Sequence, residues 1–296
     1  MSGSRSVLSG GKAYLYILPI LILSGIFLYY SIGFTVYTSF HQWNGIDSQM
    51  KYIGLDNYRK LFDDKTYHIA LKNNLIFLVC TVFIQAAVGL LLAVLLRAKL
   101  FGNGLFKSVF FIPVVMAPVI IAAIFRIIMD TNFGSLNETL RALHLDFLAV
   151  SWLGDPKYAL MSVIIVNIFQ WMGFSMTMYY SGLLAIPDEI YESAKMDGAG
   201  FWRTLFRITV PLVGSTTSTL VVLGIVGSLK TFDIVALLTG GGPGRSTEFL
   251  TTYVYKKAID EFNGGMSAAA GVTILVIAIV LAVVQLRLGN RQQNNH

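Results

Sequence analysis

An all-α integral membrane protein with six transmembrane helices is the fold class this sequence predicts, and three observations predict it. Charged residues make up only 13% of the 296 residues, where soluble domains average about a quarter. Mean hydropathy is +0.66. Six stretches are each apolar over roughly the 20 residues that a helix needs to cross a hydrocarbon core of about 30 Å, and the polar residues collect between them.

Taken in order, the spans are expected at about 14–37, 75–96, 109–129, 159–184, 212–238 and 268–286. The first follows a short tail, 1–12, that carries Arg5 and Lys12. Its apolar run is too long for a signal-peptide core and no small-residue cleavage pattern follows it, so it is expected to stay attached. Pro19, Pro113 and Pro118 fall in or beside spans, which bilayers tolerate when neighbouring groups satisfy the freed backbone. With their connections the spans form a single transmembrane domain over 13–287, followed by a tail, 288–296.

Six spans place both termini on one side. Basic residues do not decide which, because connections and tails carry ten Lys and Arg on each side. The short connection "RAKLFGNGLFK" at 97–107 has three basic residues and no acid, and it and the basic tails assign that side to the cytoplasm. The opposite connections, 41–68, 130–157 and 239–267, hold Trp43, Tyr52, Tyr58, Tyr67, Trp152 and Tyr253, which are expected to anchor at the interface.

Several chemistries are excluded. The net charge of +6 comes from scattered residues with no basic run longer than two, so nucleic acid is not an expected partner. Cys80 is the one cysteine, and His41, His68, His144 and His296 are isolated, which leaves no metal site. No G-x-x-x-x-G-K-[ST] stretch is present, so nucleotide phosphates are not cradled in the usual way. Lys230 and Asp233, three residues apart within the fifth span, are expected to share a helix face and could pair. An ion-coupled secondary carrier would need more intramembrane charge than this pair.

The stretch "IPDEIYESAKMDGAGFWRTLFRITVP" (186–211) is a polar island between the fourth and fifth spans. Pro187 suits a first helical position, Asp188 and Glu189 suit a helix start, and Gly198 and Gly200 suit a stop. A short helix from Asp188 to about Asp197 is predicted. Its small residues suit either an amphipathic linker or a docking element.

Glu192, Ser193, Ala194, Asp197, Gly198 and Ala199, followed by Phe206, Ile208 and Pro211, resemble the EAA loop of permease subunits in binding-protein-dependent ABC importers, with Ser193 where the family usually has Ala. The resemblance extends over nearly the whole chain. "YIGLDNYRKLF" (52–62), "LLTGGGPGRSTEFLTTYVYKKA" (237–258) and "AAAGV" (268–272) are similar to stretches of the carbohydrate branch, of maltose and glycerol-phosphate type. It implies a cytoplasmic loop at 185–211 whose helix couples to an ATPase through Glu192, Ser193, Ala194, Asp197, Gly198 and Ala199. It also implies a chain that is not an enzyme and holds no cofactor, ATP and Mg being bound by two copies of a cytoplasmic ATPase. A second related permease, an extracytoplasmic solute-binding protein and a carbohydrate are the other implied partners, in the cell membrane of a prokaryote.

A sugar pathway needs flat apolar faces and a few hydrogen-bonding groups near the membrane middle. The fourth span offers Asn167, Gln170, Trp171, Gly173 and Ser175; the fifth offers Gly224, Gly227, Ser228 and Thr231. Such residues equally serve helix packing or bond their own backbone. The resemblance maps substrate contacts onto Phe169, Gly173, Met176, Gly224, Ser228 and Thr231. Phe169 and Met176 depart from maltose-type members, which carry hydrogen-bonding side chains there, and that argues against maltose itself. A polyol-phosphate permease with Lys230 on the pathway, a secondary carrier and a structural scaffold are the rival readings.

Overall fold

The computed structural model describes residues 10–98 and 102–293. Of the expected features, the N-terminal tail through Ser9, Lys99 in the basic connection and the last three residues of the C-terminal tail fall outside them. The described chain is helical apart from one two-stranded ribbon, β1 (His41–Gln42) against β2 (Lys51–Tyr52). Where one domain is expected over 13–287, backbone packing separates two compact units: 1–63 with 254–273, and 64–253 with 274–296.

The first unit opens with α1 (Gly10–Ser24), a π turn at Gly25–Tyr29 and α2 (Tyr30–Ser39). Residues Tyr16–Ser39 form one apolar helix of crossing length, and none of its most apolar window is buried within the chain. Apolar side chains facing outward all round suit lipid. α3 (Asp56–Asp63) returns Asn57 beneath the end of α2, where its amide donates to Ser39 O and His41 O, both at 2.9 Å. The glycines that begin α15 (Gly264–Gln293) close on the ribbon: a Cβ on Gly265 would lie 2.1 Å from His41 O.

The second unit is built on α4 (Lys65–Arg97) and α8 (Pro156–Leu184), which pack along much of their lengths. Asp64 caps α4 by accepting from Thr66 N at 2.7 Å, and Asp155 caps α8 by accepting from Lys157 N at 2.8 Å. At 33 residues α4 is about 50 Å long, well beyond the hydrocarbon core. Its first ten residues include Lys65, Thr66, His68, Lys72, Asn73 and Asn74 and so escape a hydropathy reading. Small residues permit the close approaches: a Cβ on Gly89 would meet Ser175 Cβ at 2.6 Å, one on Gly182 would meet Thr216 Oγ1 at 2.6 Å, and one on Gly224 would meet Val82 Cγ2 at 2.8 Å.

Two of the expected spans are broken rods. The third consists of α5 (Asn103–Val115) and α6 (Pro118–Ile128), bent by 100°. Pro118 starts a new helix and holds Ala117 extended. The fifth consists of α12 (Gly214–Lys230), which ends at an extended Thr231, and α13 (Asp233–Leu238). The carbonyls left at that break find partners: Thr231 Oγ1 donates to Gly227 O at 2.9 Å, Asn74 Nδ2 to Ser228 O at 3.1 Å and Thr251 Oγ1 to Thr231 O at 2.5 Å. Lys230 and Asp233 therefore do not share one continuous helix, and among the described residues no ion pair joins them. In all, four helices are long and apolar enough to cross a membrane, or up to six if two bent pairs each count as one. The pairs are α5 with α6 and the helical segment Phe201–Leu212 with α12, the latter bent by 70°.

Between these elements lie α7 (Ser135–Ala142), α9 (Asp188–Met196), α10 (Phe201–Thr204), α11 (Val210–Leu212) and α14 (Leu250–Tyr255). Two of the aromatic residues expected at the interface are core instead. Tyr67 and Tyr253 are almost fully buried, and Tyr253 OH donates to Asp64 Oδ2 at 2.8 Å. Their rings pack edge-on with centroids 5.7 Å apart.

Candidate functional site

The buried side chains of the second unit form two clusters at different levels of α8. One gathers Val163, Ile164 and Val166 with Phe77, Ile121, Ile234, Val235 and Phe249; the other gathers Met176, Tyr179 and Leu183 with Ala93, Leu96, Val213 and Leu220. A cavity of about 390 Å³ opens at the intervening level. α4 contributes Thr81 and Gln85, α8 contributes Asn167, Gln170, Trp171 and Ser175, and the α12 end contributes Gly224, Gly227, Ser228, Lys230 and Thr231, with Asp233 just beyond it.

The cavity lies among α4, α8 and α12, with Pro118 of α6 at its edge. Gly224 approaches Val82 closely and Gly227 has open space where a Cβ would be. The α5–α6 break leaves Met116 O without a helical donor, and Gln170, 2% exposed, donates to it from Nε2 at 3.4 Å. Gln85 Nε2 donates to Ser175 Oγ at 2.9 Å. Asn167, 8% exposed, makes no hydrogen bond to the described residues, so its amide is available to whatever enters. The Trp171 indole supplies a flat apolar face.

Of the expected pathway residues, Trp171, Gly224, Ser228 and Thr231 line this cavity, and Phe169, Gly173 and Met176 do not. Phe169 packs edge-on against Phe125 with ring centroids 5.2 Å apart. Gly173 is a packing contact, since a Cβ there would stand 1.9 Å from Phe110 O on α5. Met176 is fully buried in the second cluster. Ser228 points its hydroxyl back to Ile225 O at 2.9 Å, the local bond that competes with a pathway role. Thr81 and Gln85 escaped the sequence reading; their signal was two polar residues four apart in an apolar run.

The island between α8 and α12 folds as a short helix with a defined start and stop. Pro187 is the N-cap of α9, one position earlier than expected. The helix ends in a Schellman arrangement: Gly198 N donates to Lys195 O at 3.1 Å, Ala199 N donates to Ala194 O at 2.9 Å, and Gly198 takes a φ of +70°. Glu192, Ser193, Asp197 and Gly198 are exposed and Ala199 is half-buried, but Ala194 is only 6% exposed and faces the chain's own interior. Ala194 packs α9 against the rest of the chain.

Arg97, which the sequence reading did not single out, holds α9 in place. Its Nη2 donates to Ile186 O at 3.2 Å and to Asp188 Oδ1 at 2.7 Å, and its guanidinium lies 3.8 Å from the centre of the Tyr191 ring. Tyr191 OH and Thr209 Oγ1 are 3.3 Å apart. α9 is thus tied both to the end of α4 and to the segment that leads into α12. Among the described residues no three His, Cys, Asp or Glu gather to hold a metal ion.

Fold and site together define a multi-pass helical membrane component that keeps a small, mainly apolar cavity with a few polar groups among α4, α8 and α12, and a braced helix next to the end of α4. The chain belongs to the family described as "Binding-protein-dependent transport system inner membrane component", which matches residues 69–294. It is 37% identical over 93% of its length to 94% of the "Probable ABC transporter permease protein YurN" of Bacillus subtilis. It is 29% identical over 97% of its length to 98% of the "Multiple sugar-binding transport system permease protein MsmF" of Streptococcus mutans. Among solved structures it is similar to a chain of a bacterial alginate ABC transporter in complex with an alginate pentasaccharide-bound periplasmic protein, with a TM-score of 0.81, 26% identity, and 95% of this chain and 94% of that one covered.

Proposed function

We propose that this chain forms half of the translocation pathway of an ATP-driven importer for a sugar or oligosaccharide delivered by an extracytoplasmic binding protein. The observation that carries the reading is the cavity among α4, α8 and α12, where the free amide of Asn167 and the indole of Trp171 face the same space. A flat apolar face beside hydrogen-bonding groups is what a sugar ring requires. The relatives named for sugar transport and the alginate importer support the substrate class.

In this reading a second related permease completes the pathway and two copies of a cytoplasmic ATPase bind ATP and Mg. The chain itself is not an enzyme and needs no cofactor. α9 is the coupling helix, with Glu192, Ser193, Asp197 and Gly198 against the ATPase and Ala194 supporting it from within. Arg97 and Tyr191 pass its displacement to α4 and α12. The six crossings are α1 with α2, α4, α5 with α6, α8, α12 with α13, and α15, and both termini are cytoplasmic. Neither α5 nor α6 reaches the length of a crossing alone, and their break is tolerated because Pro118 lines the cavity rather than lipid.

The test is reconstitution with ATPase subunits and binding protein in proteoliposomes, reading ATP hydrolysis and uptake across a panel of loaded binding proteins. Glu192→Ala and Gly198→Trp are expected to lower stimulated hydrolysis severalfold while the chain remains inserted. Normal stimulation and uptake in both variants would sink the coupling role. Uptake by the purified chain without ATPase would instead establish a secondary carrier.

One observation favours a second substrate, a polyol phosphate: Lys230 lines the cavity without an ion-pair partner among the described residues. Asp233 lines it too and offsets that charge, which favours the neutral sugar. Loss of transport in Lys230→Met with binding-protein affinity intact would reverse that preference.

A further inference from the structure

The segment Phe201–Leu212 has a surface that the transport reading does not use. It runs helically through α10, a π turn at Leu205–Thr209 and α11, and it meets α12 at 70°. α12 alone spans about 26 Å at 1.5 Å per residue, close to the hydrocarbon thickness of about 30 Å, and α13 continues beyond it. Phe201–Leu212 counts toward a span only as the bent partner of α12, and α12 comes close to the crossing length without it. A helix at 70° to a membrane-crossing one runs nearly in the membrane plane, at the level where α12 enters.

Its sides differ in character. Leu205 and Thr209 are buried against the chain. Trp202, Phe206 and Val210, spaced four apart, form an exposed apolar stripe in which Trp202 and Phe206 are each 63% exposed. Their rings stack with centroids 6.0 Å apart and 15° between planes. Arg203 and Arg207, also four apart, form the next stripe; both are exposed, and neither meets a carboxylate among the described residues. An apolar stripe carrying Trp and flanked by Arg is the pattern of a helix lying in a membrane interface, and the arginines complement acidic headgroups.

We propose that Phe201–Leu212 is an interfacial helix that binds acidic phospholipids. Trp202, Phe206 and Val210 enter the boundary between headgroups and acyl chains, and Arg203 and Arg207 hold headgroup phosphates. The bend favours lipid over a protein occupant because it carries the stripe directly into the membrane level of α12. This inference goes beyond the transport reading and does not depend on it.

The test uses the full chain, with the subunits that co-purify with it, in nanodiscs of phosphatidylcholine containing a minority of brominated phosphatidylcholine or brominated phosphatidylglycerol. The Trp202 signal is the difference between the wild type and Trp202→Phe. Brominated phosphatidylglycerol is expected to quench it at least twice as strongly as brominated phosphatidylcholine. Arg203→Gln with Arg207→Gln should abolish that preference, and the paired lysine variants should keep it. No quenching by either lipid would overturn the proposal in favour of a protein partner. Equal quenching by both would overturn the acidic headgroup.

Discussion

Arg97, the last residue of α4, donates to Asp188 Oδ1 at 2.7 Å while its guanidinium sits 3.8 Å from the centre of the Tyr191 ring, so the end of one long helix grips the first turn of α9 at two points. An exposed ion pair of this kind contributes only about 0–1 kcal/mol, and Asp188 is largely exposed. The contact matters as a linkage more than as a source of stability. Arg97→Gln is expected to leave thermal stability within a few degrees of the wild type and to reduce binding-protein-stimulated ATP hydrolysis several-fold in the reconstituted assembly. Arg97→Lys keeps the charge but loses the planar stack and the fork, and should recover the activity only in part.

Gly173 separates packing from substrate contact. A Cβ there meets the carbonyl oxygen of Phe110 at 1.9 Å, and backbone on α5 cannot move as a side-chain tip can. Overpacking of this kind costs about 1–3 kcal/mol or more. Gly173→Val should lower the melting temperature of the detergent-purified chain by several degrees, whatever substrate is present. A variant of unchanged stability that loses one substrate selectively would return Gly173 to the pathway.

Asn167 and Asn74 are both buried amides in long helices, and opposite outcomes are expected for them. Asn74 donates to Ser228 O and accepts from Leu250 N at 2.7 Å. Asn74→Ala leaves both groups unpaired, at about 1–3 kcal/mol for each such group, and should destabilise the chain by that order in thermal unfolding. Asn167→Ala removes a group that faces the cavity, so it should weaken transport about tenfold and leave the melting temperature unchanged. Equal melting shifts in the two variants would contradict the distinction.

The turn after α6 has a predictable pH dependence. Asp130 accepts from the backbone N–H of Asn132 and Phe133, both at 2.9 Å, and these bonds hold its carboxyl below the ordinary value of 3.8. With the folded pKa depressed, the contribution to the turn is complete above the unfolded value and disappears as pH falls through the folded one. Amide exchange at Asn132 and Phe133, corrected for intrinsic rates, should show protection that is flat above about pH 5 and lost below the carboxylate range. Asp130→Asn should remove the pH dependence. Protection unchanged down to pH 2 in the wild type would disprove this account.

Much of the fold was legible in the residues. The island helix could be placed within one residue at each end, because Pro187, Asp188 and Gly198 act locally through dihedral angle, dipole and left-handed conformation. Asn167, Gln170, Trp171, Ser175 and Ser228 could be proposed for a pathway because polar side chains in apolar helices need a reason to be there, and all of them line the cavity. The break at Thr231 was not legible. No proline or glycine adjoins it, and its carbonyls are satisfied by Asn74 and by Thr251, residues brought there only by folding.

Composition, period and capping residues were thus enough to decide that this chain is helical and membrane-embedded, and where a short helix lies between the fourth and fifth expected spans. Each of those signals is local, set by hydropathy over some 20 residues or by one turn's caps. Which side of α8 faces the cavity and which faces α5 was decided only by tertiary packing. A helix that is apolar on every side has no amphipathic stripe to orient it, so Gly173 and Met176 turn into the core, and Asn167 and Trp171 toward the cavity, through their contacts with α4, α5 and α12.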